Sequence, residues 1–423
     1  MNKLIALLCF CFCVFSAQGQ VTLEYCQQRA RTNYPLIKQY DLIEQSKKYT
    51  IAQVNKAYLP QLSLQGKASW QSEITEFPEQ LTQFVGQMGT EISFPSQDQY
   101  SVALELSQII WDGGMISSQK KAINAQNEVE KQSLEVNLYA LRKQVDQLFF
   151  AILLIDEQLL QINLLQEELK RNYTLISSYV EGGLAQQSDQ DEIKVEILSA
   201  EQREMEMQTS RKAFVNMLSA FIGEEIGTST FTKPSAEFNA NNTINRPELK
   251  MFDSQIKLFE TQTNTLWSKG MPQIALFARG AYANPGLNMF KSGFTPYFIG
   301  GVQLAWNFGK LYSNKDEKHL FEMQKQKVEV QREVFLFNTQ QEITQKNSEI
   351  EKLKNLLKND EEIIRLRESI QKVSEIKVEN GTMSVSDLMR DIHASNMARQ
   401  TKSLHEIQLL HHIWEVRQLK TEN

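Results

Sequence analysis

Two stretches of this chain, 212 residues apart, follow one plan. Asn33-Tyr34-Pro35-Leu36-Ile37-Lys38-Gln39-Tyr40-Asp41 is answered by Asn245-Arg246-Pro247-Glu248-Leu249-Lys250-Met251-Phe252-Asp253, and each is followed at the same distance by a Pro-Gln pair, Pro60-Gln61 and Pro272-Gln273. Trp111-Asp112-Gly113-Gly114 returns as Trp306-Asn307-Phe308-Gly309, and Val180-Glu181-Gly182-Gly183 with Ser188-Asp189 returns as Val378-Glu379-Asn380-Gly381 with Ser386-Asp387. So long a period is not that of a solenoid, whose repeats run to about 20–50 residues. It implies one large unit used twice. The expected division is residues 20–222, a connection over 223–245, and residues 246–423.

Residues 1–19 read as a cleaved leader. Met1-Asn2-Lys3 is a short positive start, Leu4 to Phe15 is apolar, and Ala17-Gln18-Gly19 offers small residues for cleavage. The apolar run is too short for a retained anchor, and no later stretch has the 18 or so uncharged apolar residues of a spanning helix. Cys9, Cys11 and Cys13 lie in the leader, which leaves Cys26 without an internal partner. The net charge of −6, about −7 once Lys3 is removed, speaks against a nucleic-acid partner, which would call for clustered basic surface.

Within each half the periodicity changes from helical to alternating and back. Pro35 to Tyr58 and Pro247 to Lys269 read as helices with proline in the first turn. After Pro60, Leu62, Leu64, Gly66, Ala68 and Trp70 alternate with Gln61, Ser63, Gln65, Lys67 and Ser69. Val102, Leu104 and Leu106 then alternate with Ser101, Ala103, Glu105 and Ser107; Ile274 to Tyr282 and Phe298 to Leu304 repeat the pair more loosely. Four strands of about ten residues, each with one apolar and one polar face, fit outer-membrane barrel strands. Trp70, Tyr100, Trp111, Tyr297 and Trp306 stand near strand ends, where an aromatic belt meets lipid headgroups. An ordinary two-faced sheet in a soluble domain would carry the same alternation. If the strands do meet lipid, four cannot close a barrel, so the membrane reading requires an oligomer.

Leu141, Leu148, Ile155, Ile162 and Leu169 fall seven apart, as do Leu138, Val145, Ile152 and Leu159. Ile343, Ile350, Leu357 and Ile364 keep the same step, with Leu356, Ile363 and Ile370 beside them. Such spacing predicts long helices that coil on partners. Met115 to Val180 contains no proline and no glycine, which predicts a single helix of about 100 Å at ~1.5 Å per residue. Lys310 to Val378 predicts a second. Each ends at a glycine, Gly183 or Gly381, and a return helix is expected from the cap at Ser188-Asp189 or Ser386-Asp387.

In this order, twice over, these parts resemble the TolC-like outer-membrane efflux protein family. The resemblance rests on the Asn-x-Pro helix start, the Pro-Gln strand entry, the Trp-Asp-Gly-Gly exit and the paired glycine tips, and it covers nearly the whole chain after the leader. It implies a mainly helical protein with transmembrane β-strands, in which three chains each give four strands to a twelve-stranded outer-membrane barrel continued by a periplasmic α-helical tunnel. It implies an exit duct for a tripartite efflux pump or a type I secretion system, working with a periplasmic adaptor and an inner-membrane pump of the proton-driven or ATP-driven class. Adaptor-docking tips would fall on Val180, Gly182, Gly183 and Leu184, and on Val378, Gly381 and Thr382. The narrow periplasmic mouth would fall at Asp387. The family's second acid is replaced here by Arg390, followed by Asp391, so the two residues either pair to lock the mouth or Asp387 is only a capping acid.

No catalytic constellation is legible, and no cofactor or metal is expected. His405-Glu406 followed by His411-His412 misses the His-Glu-x-x-His spacing, and Gly113-Gly114 and Gly182-Gly183 lack the lysine of a phosphate loop. The alternative to a duct is a periplasmic coiled-coil scaffold without transport activity. The polar-face residues Gln61, Gln65, Lys67, Glu105, Arg279 and Gln303 name no cargo.

Overall fold

A computed structural model describes residues 20–76, 94–227, 229–235, 243–289 and 293–420, with residues 78, 82, 84, 86, 89 and 291 between them. The expected leader over residues 1–19 lies outside the described residues. The element order is α1 (Leu23–Asn33), α2 (Gln39–Asn55), β1 (Gln61–Trp70), β2 (Asp98–Trp111), α3 (Met115–Glu181), α4 (Gln187–Ile222), α5 (Pro247–Lys269), β3 (Gln273–Asn284), β4 (Thr295–Ala305), α6 (Gly309–Glu379) and α7 (Val385–Lys420). The sequence helix at Pro35–Tyr58 is present as α2 with a 3-10 turn at each end, Pro35–Lys38 and Lys56–Tyr58. Helix α1 has no counterpart in the sequence reading. Thr22 caps it, its hydroxyl accepting from the Tyr25 amide at 3.3 Å, and Leu23, Cys26 and Ala30 are buried beneath it.

Contacts divide the chain into two compact units, and each draws on both halves of the sequence. One comprises the chain up to Gln39, Ser133–Lys250 and the chain from Arg332 onward. Its core joins Val21, Leu23 and Cys26 to Leu141, Val145, Phe149 and Ile152 of α3, Leu218 and Ile222 of α4, and Ile407 and Trp414 of α7. The heptad residues of α3 are therefore interior positions. A stretch of α3 is apolar enough to pass for a spanning helix by length and composition, which the sequence reading did not anticipate, and within α3 Leu148, Phe149, Phe150 and Leu153 are buried in the helical core. The expected connection enters the same core through Ile226 and Phe231, and Val21 pairs with Phe231 as an isolated parallel bridge.

The second unit comprises Tyr40–Gln132 and Met251–Gln331 and contains the sheet. All neighbours are antiparallel, in the order β1-β2-β3-β4, so the strand pair of one half joins that of the other through β2 and β3. Gln61 pairs with Ser107, Glu105 with Arg279, and Gln273 with Ala305. At the exit of β2, Asp112 is buried and turns the chain into α3: its carboxylate accepts from the Gly114 amide at 2.9 Å and from the Ile116 amide at 2.6 Å. Gly113, at φ +66°, must lack a side chain, because a Cβ there would collide with Met271. Asn307 does the same work in the second half, accepting from the Gly309 amide at 3.0 Å.

Candidate functional site

The strand register sorts the sheet into two chemically distinct faces. Leu62, Leu64, Val102, Leu104, Leu106, Leu276, Tyr282, Phe298, Val302 and Leu304 are all exposed. Register puts them on one face, since Leu64 pairs with Leu104, Leu104 with Gly280, and Gly280 with Phe298. So large an exposed apolar surface requires a non-aqueous neighbour. The opposite face holds the polar and charged residues along with Phe277, Tyr297 and Ile299: Gln65 donates to Glu105 at 3.1 Å, Arg279 reaches the same carboxylate at 3.3 Å, and Ala103, Ala281 and Ala283 are buried.

The expected belt aromatics divide unevenly between these faces. Trp70 and Tyr100 lie on the apolar side toward the loop end of β1 and β2. Trp111 reaches that side only because the register shifts between Ile109 and Trp111, bringing it opposite Ile274; a bulge re-aims a side chain in this way. Trp306, just past β4, donates from its indole to the Gly270 carbonyl at 3.1 Å and is half exposed. Tyr297 departs from expectation: it pairs with Ala281 on the polar face, because alternation gives the outward position to Phe298.

In the helical unit the two tips have the same geometry. At the first, Gly183 takes φ +72° and donates to Val180 O at 3.0 Å, while Leu184 donates to Tyr179 O at 2.8 Å. At the second, Gly381 takes φ +67° and donates to Val378 O at 2.9 Å, and Thr382 donates to Lys377 O at 2.9 Å. Each is a Schellman stop, in which left-handed glycine lets orphan carbonyls find donors. Gly182 precedes the first, Leu184 is strongly exposed, and Val378 is buried. Beneath the tips Leu165, Leu169, Ile193 and Ile197 share one core with Val378, Val385, Leu388 and Ile392, so the two hairpins pack as one body.

The restart of each return helix differs from the sequence reading. Helix α4 is capped at Gln186, whose backbone N–H donates to Asp189 Oδ2 at 2.9 Å; Ser188 already lies inside the helix. For α7 the capping residue is Ser384, whose Oγ accepts from the Asp387 amide at 3.1 Å and donates to Asp387 Oδ2 at 2.7 Å. Ser386 instead donates to Glu192 of α4, at 2.6 and 2.7 Å to its two oxygens. His393 Nε2 lies 2.9 Å from Glu196 Oε2, a second tie between the return helices. Asp387 also accepts from Arg390 at 2.7 Å, and Asp391 accepts from Ser374 Oγ at 2.6 Å. Asp387 thus accepts from both the capping Ser384 and Arg390 of its own chain.

One polar site escaped the sequence reading. Asp146 of α3 is buried, accepts from Gln27 Nε2 of α1 at 2.6 Å and from the Gln418 amide of α7, and burial pushes its carboxyl up to about 7. The histidines also find partners remote in sequence. His405 Nδ1 lies 2.6 Å from Asp360, and His411 stacks on Phe150 at 4.7 Å, burial holding its pKa low. Among the described residues no group of three or more His, Cys, Asp or Glu side chains is arranged to hold a metal ion.

Residues 27–224 match the family model described as outer membrane efflux protein. Solved structures share the fold over nearly the whole chain. The outer membrane protein VceC from Vibrio cholerae superposes at TM-score 0.65 with 12% identity, over 94% of this chain and 96% of its own. A membrane protein from Pseudomonas aeruginosa gives TM-score 0.67 and 14% identity over 96% and 90%. The CmeC outer membrane channel of Campylobacter jejuni gives TM-score 0.63 and 13% identity over 95% and 85%. At such identities the likeness is one of fold. No curated protein matches at the level of sequence.

Proposed function

We propose that this chain, whose residues 27–224 match the outer membrane efflux protein model and whose fold is similar to that of solved outer membrane channels, is the trimeric exit duct of a tripartite efflux pump or a type I secretion system. The observation that carries the reading is the sheet: four long antiparallel strands, a largely apolar exposed face, and outer strands β1 and β4 that pair on one side only among the described residues. A sheet in lipid must close on itself, because an unpaired edge leaves backbone groups without partners and each costs several kcal/mol, on the order of 2–7. Four strands cannot close, and three copies supply twelve, a size within the known range of such barrels.

The helices support the same reading. The heptad positions of α6 that the monomer leaves exposed, among them Leu320, Met323, Val334, Phe337, Ile363, Leu366, Ile370 and Val373, form an apolar stripe suited to a neighbouring copy. The exposed tips at Leu184 and Thr382 are the surfaces offered to a periplasmic adaptor, and through it to an inner-membrane pump. The division into a leader and two repeats, with aromatics bordering the lipid, belongs to the same proposal.

The test is biochemical. The full-length protein should fractionate with outer membrane, need detergent for extraction, run as a trimer by light scattering, and open ion-conducting channels in planar bilayers. Recovery as a soluble periplasmic dimer would overturn the reading in favour of a coiled-coil scaffold.

A further inference from the structure

The polar face of the sheet is not electrically neutral. Alternation without interruption from Gln61 to Trp70 puts Lys67 on the same face as Gln65, which is hydrogen-bonded to Glu105. Across the four strands this face carries three charged side chains: Lys67, Glu105 and Arg279. Glu105 and Arg279 stand in register and form an ion pair at 3.3 Å, so they cancel. Lys67 stands apart. Ser63 is the residue of β1 opposite Glu105, and Lys67 lies four positions further along, about 13 Å at ~3.3 Å per residue. Its register neighbours are Ser101 and, through it, Ala283 and Thr295, and it is exposed with no ion pair to any described residue.

Resting on the trimeric-duct reading, we infer that Lys67 from three chains forms a ring of like charge on the inner wall that makes the barrel favour anionic over cationic solutes, although the whole chain carries −6. Twelve strands about 4.8 Å apart and tilted by about 40° enclose a backbone radius of about 12 Å. A lysine reaching roughly 6 Å inward brings its ammonium within about 6 Å of the axis, which is less than the Debye length of ~10 Å at 0.1 M salt. Every permeating ion therefore passes three unscreened cations, the arrangement by which charged rings select for anions. The Glu105–Arg279 pair lies beyond one Debye length from this ring and offsets nothing.

The experiment is reversal-potential measurement on the purified full-length trimer in planar bilayers under a KCl gradient. Wild type should prefer chloride by about three- to tenfold near 0.1 M, with the preference fading near 1 M, where the Debye length is ~3 Å. Lys67→Gln should abolish the preference and Lys67→Glu invert it, with unitary conductance confirming that each variant still forms the channel. A wild type that prefers potassium, or a ratio unchanged in Lys67→Gln, overturns the inference and leaves the duct reading standing. Absence of channels altogether overturns both.

Discussion

Arg390 donates to Asp387 at 2.7 Å from one turn further along the same helix, while Ser384 holds the other carboxylate oxygen at 2.7 Å from the turn before. Asp387 is thus fixed by its own chain, and the pair is exposed rather than sealed in a core. The Ser384 hydrogen bond first, and the Arg390 charge after it, hold the Asp387 carboxyl below its ordinary value of 3.8.

Removal of Arg390 therefore bares a carboxylate that stays in place. If these residues border the periplasmic mouth, Arg390→Ala should raise single-channel conductance in planar bilayers while leaving helicity unchanged by circular dichroism; unchanged conductance would reject that location. Because the folded pKa is depressed, the stabilisation Asp387 gives the helix start is present above pH 3.8 and is lost as pH falls through the lowered value. Ser384→Ala should move that acid loss toward higher pH.

Asp146 titrates in the opposite sense. Its folded pKa of about 7 lies above the ordinary 3.8; burial raises it, with the Gln27 hydrogen bond and the Arg142 charge working against that rise and Glu415 and Glu24 adding to it. Between pH 4 and 7 the folded state keeps a proton that the unfolded state has released, so stability falls as pH rises through this window and levels off above it. Asp146→Asn should match wild type near pH 3, below the unfolded value, and exceed it at pH 8, by a few kcal/mol at about 1.4 kcal/mol per pKa unit. His411, with its pKa lowered by burial, loses stabilisation as pH falls, the reverse direction, so subtracting the variant's curve isolates Asp146. Denaturation followed by circular dichroism at the two pH values is the measurement, and an identical slope in both proteins would remove Asp146 from the account.

Leu64 and Gln65 are adjacent and face opposite environments. Arginine at Leu64 sits in the middle of the apolar face, where a lipid-facing cation costs about 2–4 kcal/mol, whereas arginine at Gln65 faces water. Leu64→Arg should strongly reduce trimer recovered from the outer membrane and Gln65→Arg should not. Equal yields from the two variants would contradict the lipid-facing assignment of this side of the sheet.

What could be read in advance was written in local rules. Period-two alternation places Leu62, Leu64 and Val102 on one side wherever the strands lie. Seven-residue spacing and the lack of proline define α3 to within a residue, and Gly183 and Gly381 mark helix stops because left-handed backbone favours glycine. The duplicated order of helix, strand pair, long helix and return helix needed nothing further.

Tertiary structure decided whatever depends on residues distant in the chain. Ser386 and Ser384 are equally good caps by composition, and packing of α7 against α4 turned Ser386 toward Glu192, 194 positions away, leaving the cap to Ser384. Tyr297 was placed by register against Ala281, and Trp111 by a shift that no alternation foretells. Asp146 looked like one polar residue on a long helix, until α1 and α7 closed over it with Gln27 and Gln418. Local propensity and periodicity act over a few residues and survive in the sequence, whereas burial and charge at one atom are set by which elements meet, and that is fixed only when the chain has folded.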